Sequence, residues 1–182
     1  MPTQLNAIQQ AHPTKKIHLF YEDEARFGQQ GTLTRVWARK GTRPRALRQI
    51  GYEFLYMLAA VCPTTGANCA MIAPYLDTAI VNVFLRQLSA TLPPDVHAAL
   101  VWDGAGYHKS GKLKVPANIT LIALPPYSPE LNPIENLWHY LRSHYWSNRI
   151  YADYDALDAA ASEAWKKMIA LPDLLKTVCA AA

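Results

Sequence analysis

Ile17-His18-Leu19-Phe20-Tyr21-Glu22-Asp23 carries an apolar run, broken only by His18, that leads into an acid. A run of this length suits a strand buried in a sheet, so Asp23 is expected where that strand meets its loop. Ala98-Ala99-Leu100-Val101-Trp102-Asp103 repeats the pattern, and Gly104 and Gly106 end regular structure directly after it. If the two runs pair as parallel neighbours, their C-terminal ends set both carboxylates side by side in a crevice. Two such anions repel unless a cation sits between them, which points to a metal site and to phosphodiester chemistry.

The remaining pattern surrounds these runs with strands and then helices. Material around Thr32 to Ala38, then Glu53 to Val61 and Asn68 to Ala73, reads with the strand near 17 to 22 as an antiparallel set, the last two joined by a turn at Pro63 to Gly66. Asp77 opens a helix with Ile80, Val81, Phe84, Leu85 and Leu88 on one face, ending before Pro93-Pro94. Ile119 to Leu124 is a last strand, and Tyr154 to Ala170 forms an alanine-rich terminal helix. This order makes the fold α/β.

Glu135 is the third acid. Asn132 is a favoured N-cap, Pro133 suits the first helical position and Glu135 the third, so a capping box alone accounts for it. The approach is unusual, however: Pro125, Pro126, Pro129 and Pro133 stiffen the loop that aims the helix start, as a positioned ligand requires. Ile134, Leu137, Trp138, Leu141 and Tyr145 form the core stripe, with Glu135 about 100° from its centre.

Charge is local. The net charge is only +4, yet Arg35, Arg39, Lys40, Arg43, Arg45 and Arg48 gather six cations in fourteen residues with no acid among them. Such a segment is a phosphate-contacting loop or a solvated one, and Lys109, Lys112 and Lys114 beyond Asp103 add a second group. His108 is either a loop histidine with no role or, as the resemblance given below implies, a group that contacts a phosphate or orients a carboxylate. Glu22 and Glu24 alternate away from the Asp23 face, so they support the site from outside or face solvent. The tryptophans read as packing residues, Trp37 in the basic loop excepted. Half of the 182 residues are apolar, enough for one sizeable core, without a run long enough to span a membrane or serve as a signal peptide. The expected location is the cytoplasm, on the nucleoid in use. Cys62, Cys69 and Cys179 are expected as free packing thiols.

Three blocks resemble the signatures of mariner-type insertion-sequence transposases of the DDE superfamily: Tyr21-Glu22-Asp23-Glu24-Ala25-Arg26-Phe27, Trp102-Asp103-Gly104-Ala105-Gly106-Tyr107-His108, and Tyr127-Ser128-Pro129-Glu130-Leu131-Asn132-Pro133-Ile134-Glu135. Arg35-Val36-Trp37-Ala38-Arg39-Lys40-Gly41 resembles a fourth, and thirty-one residues separate Asp103 from Glu135, close to the interval that superfamily keeps. The resemblance implies an RNase H-like mixed sheet flanked by helices, with additional C-terminal helices. It implies residues 1–16 as an extension, residues 17–182 as a single catalytic domain, and Asp23, Asp103 and Glu135 as the triad holding two Mg²⁺ or Mn²⁺ ions.

The expected function is metal-dependent cleavage of DNA ends and strand transfer by a DDE-type transposase, with transposon ends and target DNA as partners and a homodimer pairing two ends. About sixteen residues precede the first strand, whereas relatives carry a helix-turn-helix there, so end recognition is expected from a separate protein or upstream segment. A metal-dependent nuclease or resolvase on the same fold, and a non-catalytic DNA-binding or dimerisation partner, are the alternatives.

Overall fold

The two apolar runs become neighbouring parallel strands. In the structure, a computed structural model that describes residues 2–45, 47–103, 111–125 and 128–180, they lie in β1 (Lys16–Gly28) and β4 (Val96–Trp102). Their pairing runs from Lys16 opposite Val96 to Tyr21 opposite Val101. With β2 (Phe54–Val61), β3 (Asn68–Ala73) and β5 (Ile119–Ala123) they form a mixed sheet ordered β3-β2-β1-β4-β5. The β1-β2 and β2-β3 pairs are antiparallel, and β4-β5 is parallel. All seven residues of β4 are buried, as expected for a parallel strand covered on both faces.

Period-two alternation sorts the core onto the two faces. Phe20, Leu58, Ala60, Leu100 and Trp102 pack against Phe84, Leu85 and Leu88 of α2 (Thr78–Thr91). Asp77 caps that helix, its carboxylate accepting from the Ile80 N–H at 2.8 Å. On the other face, Ala25, Phe27, Leu55, Met57 and Ala59 pack against α3 (Ile134–Leu141), α4 (Tyr154–Ile169) and α5 (Pro172–Ala180). Leu19, Ala99 and Val101 on that face meet Ile8 of α1 (Pro2–Ala11), whose C-terminal end is seated by His12 stacked on His97 at 3.8 Å. Among the described residues no helix is long and apolar enough to cross a membrane. All three cysteines are free and buried.

Three features depart from expectation. β1 runs on to Gly28, because β2 pairs with it through that residue and Ala25 and Phe27 supply two more buried positions. Asp23 is thus inside a strand, although just past the end of its parallel pairing. Second, the described residues between 29 and 53 contain no strand: the expected material at Thr32 to Ala38 has no partner in the sheet and forms an exposed arm. Third, the chain past Ala170 continues into α5, where Leu175 and Cys179 complete the core.

The arm is clasped at its base by side-chain amides. Asn148, with a left-handed φ of 55°, accepts from the Thr34 N–H at 3.2 Å and donates to the Thr34 carbonyl at 3.1 Å. Gln49 accepts from the Tyr151 N–H at 2.9 Å and donates to its carbonyl at 2.7 Å. Each amide thereby substitutes for a paired strand, satisfying backbone groups that the irregular chain leaves open.

Candidate active site

β1 and α3 build the site together. Alternation turns Asp23 toward the helical face that Ala25 and Phe27 share, and the indole Nε1–H of Trp138 donates to its Oδ2 at 2.9 Å. Trp138 is only 1% exposed, so the packing residue of the α3 stripe also fixes a carboxylate. The start of α3 is tied to the same strand: Asn132, itself buried, donates from Nδ2 to the Glu22 carbonyl at 3.0 Å and accepts from the Ile134 N–H at 3.4 Å. The helix begins at Ile134 with Pro133 as the cap residue, so Asn132 works as a strand-to-helix tether where a capping box was expected. We expect Asn132→Ala to cost about 1–3 kcal/mol in denaturant unfolding, the penalty for abandoning a buried carbonyl. An unchanged midpoint would refute the tether.

With the start of α3 tied there, the Glu135 carboxylate lies within electrostatic reach of Asp23. Glu135 is exposed on the first turn of α3, bordering the core as its helical position requires. Burial, and next the Glu135 carboxylate, push the Asp23 carboxyl from 3.8 up to about 7, while the bonds from Trp138 and the Glu24 backbone pull it back. Asp103 follows the last residue of β4 and is exposed. The parallel register ends at Tyr21 opposite Val101, two residues short of Asp23 and Asp103. Glu22 corrects the expectation of an outward acid: it does point away from Asp23, but that face is covered too, leaving it 1% exposed. Burial raises its carboxyl well above the ordinary range, and Glu24, Asp23 and Asp103 raise it further.

These donors fit a hard divalent ion. They are carboxylate oxygens, and Asp23 carries a charge that its neighbours oppose and a cation would relieve. Among the described residues, no group of three or more His, Cys, Asp or Glu is gathered closely enough to enclose an ion.

The family model of the DDE superfamily endonuclease matches residues 18–158, from the start of β1 into α4. The chain belongs to the DDE superfamily. Protein y4pE/y4sA of Sinorhizobium fredii (strain NBRC 101917 / NGR234), uncharacterized, is 44% identical over 117 residues, covering 64% of this chain and 87% of its own length. The uncharacterized 39 kDa protein of insertion element IS630 from Shigella sonnei is 28% identical over 127 residues, 68% of this chain and 37% of its own. The fold is shared with the Mos1 transposase paired-end complex with left transposon end, at a TM-score of 0.62 and 14% identity over 98% of this chain. It is shared equally with the Mos1 mariner paired end complex with Mn, at a TM-score of 0.61 and 13% identity over 98% of this chain. The chain spans 59% and 60% of those two structures. The likeness to the Mos1 structures is one of fold, the RNase H-like mixed sheet, and the family match makes the chain a DDE superfamily endonuclease domain.

Other expected site residues of this DDE chain spread over two surfaces. Arg35, Arg39, Lys40, Arg43, Arg45 and Arg48 are all exposed on the arm, with Trp37 fully exposed among them. The arm leaves β1 at Gly28, five residues or roughly 16 Å along the strand from Asp23. Lys112 and Lys114 are exposed on the α2 side, their backbone held by Asn82, which donates to the Lys112 carbonyl at 3.1 Å and accepts from the Lys114 N–H at 2.7 Å. His108 and Lys109 lie outside the described residues.

Proposed function

We propose that this chain is the catalytic core of a transposase that cuts DNA at transposon ends and joins the freed 3′ end to target DNA, residues 17–182 acting as one unit. The observation that supports the reading is that Glu135, on the first turn of α3, acts electrostatically on Asp23 of β1, which Trp138 of the same helix holds by a hydrogen bond. Asp23, Asp103 and Glu135 would hold Mg²⁺ or Mn²⁺, two ions in the full assembly, supplying Lewis-acid polarisation of the phosphodiester and an acidified nucleophile. The protein's part is placement. Trp138 and Asn132 fix Asp23 and the α3 start before substrate arrives, which lessens the reorganisation left for the reaction itself. DNA, a second copy of the chain and a separate end-reading module complete the proposed assembly.

The arm supplies phosphate contacts in this reading, with His108 and Lys109, five and six residues after Asp103 in the sequence, and Lys112 on the α2 side as further contacts. Replacing Arg39, Lys40 and Arg43 together by alanine should weaken duplex binding and flatten the plot of log affinity against log salt by about 2–3. Thermal unfolding should stay unchanged, because all three side chains are exposed. An unaltered salt slope would remove the arm from the DNA interface.

The deciding experiment incubates purified protein with labelled duplex carrying the element's pre-nicked terminal sequence and supercoiled target, in Mn²⁺ or EDTA, for wild type and Asp103→Asn. Metal-dependent joining absent from the variant supports strand transfer. Cutting without joining would replace it by a nuclease, and tight binding indifferent to metal and to Asp103→Asn by a non-catalytic DNA-binding partner.

A further inference from the structure

α1 meets the sheet through little apolar surface. It is ten residues long, Ile8 is the side chain it buries, and Leu5 packs beside it. A helix this short is marginal in water, so α1 persists by docking. The remaining hold is at its C-terminal end. The His12 ring lies 23° from parallel over the His97 ring, with centroids 3.8 Å apart. His97, on β4, is 2% exposed, and its Nε2 makes a hydrogen bond with the Thr120 hydroxyl of β5 at 2.8 Å. Lys15 donates from Nζ to the Pro94 carbonyl at 2.6 Å and pins the same turn.

A neutral imidazole suits this pocket and an imidazolium does not. Neither α1 nor β5 carries a charged side chain. On β1, Ile17 stands opposite His97, and its neighbours Lys16 and His18 alternate to the other face. Asp95, the acid closest to His97 in sequence, is paired with Lys16 at 2.8 Å. The titratable groups that act on His97 are His12 and Lys15, and both oppose its protonation. Burial first, and then these two, hold its pKa below the ordinary 6.5.

The footprint of α1 reaches toward the candidate site, because Ile8 shares its cluster with Tyr21 and Val101, two residues ahead of Asp23 and Asp103 in the chain. We propose that the His12–His97 stack is a proton-operated latch: a proton taken up by His97 releases α1 and uncovers the sheet face of Leu19, Ala99, Val101, Ile122 and Leu124. Undocked, His97 meets water and titrates as an ordinary histidine, so the undocked state binds more protons. Docking is therefore firmest above about pH 6.5 and weakens as pH falls below it. The latch is independent of the DNA reading and operates whether or not the chain joins DNA.

Hydrogen–deuterium exchange of the full chain at pH 7.5 and pH 5.5 tests it, each rate taken relative to an unstructured peptide at the same pH. Protection of the α1 amides should fall by up to about 10-fold at the lower pH, the ceiling set by an undocked histidine that titrates at 6.5, while α2 keeps its protection. His97→Gln offers Thr120 an amide that cannot take up a proton, so its α1 protection should be the same at both pH values. His12→Ala deletes the stack and leaves the buried ring in place, and should lower α1 protection at both. In wild type, the His97 imidazole followed by NMR should titrate with the midpoint at which α1 protection is lost. Equal α1 protection at the two pH values, or a loss repeated in His97→Gln, would overturn the latch. So would a loss in α2 that accompanies the one in α1, or an α1 midpoint that differs from that of His97, a comparison that stands on wild type alone if His97→Gln does not fold.

Discussion

Asp23→Asn is expected to abolish metal-dependent DNA joining and at the same time to stabilise the metal-free protein at pH 8. The loss of turnover should be on the order of 10³ or more, because a neutral amide is a poor ligand and cannot offset the charge of a divalent ion. The gain in stability has the opposite origin. The folded protein holds the Asp23 proton up to about pH 7, whereas the unfolded chain releases it near the ordinary 3.8. The folded state therefore binds more protons between those values, and stability is greatest below about pH 4 and declines as pH rises through 7. The gap of roughly three pH units sets an upper bound of about 4 kcal/mol, which water reaching the partly buried carboxyl reduces. In EDTA, the wild-type melting temperature should fall between pH 5 and pH 8 and recover with Mg²⁺. The curve for Asp23→Asn should be flatter and should not respond to the ion. Parallel curves for the two proteins would contradict both the raised proton affinity and the metal site.

Trp138 divides packing from positioning. Trp138→Ala deletes a side chain that is 1% exposed at the centre of the α3 stripe and should cost about 3–5 kcal/mol in denaturant unfolding. Trp138→Phe keeps most of the ring volume but removes the N–H that donates to Asp23 at 2.9 Å. Because that bond holds the Asp23 proton affinity down, its loss should move the acid limb of the activity profile to higher pH. The metal concentration giving half-maximal joining should rise several-fold, with DNA affinity unaltered. A purely structural tryptophan would change stability and leave the pH limb in place.

The sheet was legible because its strands declare themselves by burial. Ile17 to Tyr21 and Ala98 to Trp102 are apolar runs that fall within β1 and β4, and β3 falls on Asn68–Ala73 as read. Asp77 announced α2 because a side-chain oxygen capping the N–H three residues on is a local transaction. The full length of β1 was hidden because Glu22-Asp23-Glu24 has the composition of a loop, and only pairing with β2 shows that two of those acids are held in a covered sheet. Asn132 read as a cap for the same reason: its partner, the Glu22 carbonyl, is 110 residues away in sequence. The indole of Trp138 could not be separated from its stripe, since one residue fills both roles. Asp23 was visible as a residue, and the indole that holds its carboxylate was not.

The arm joins two strands whose register is already fixed by the pairing of Gly28 with Phe54. An insertion at such a point is tolerated in evolution as few others are: lengthening it twofold adds only about 0.6 kcal/mol of closure entropy. The sequence and length of this segment can therefore be rewritten while Asp23 on β1 and the α3 start tied to that strand keep their spacing.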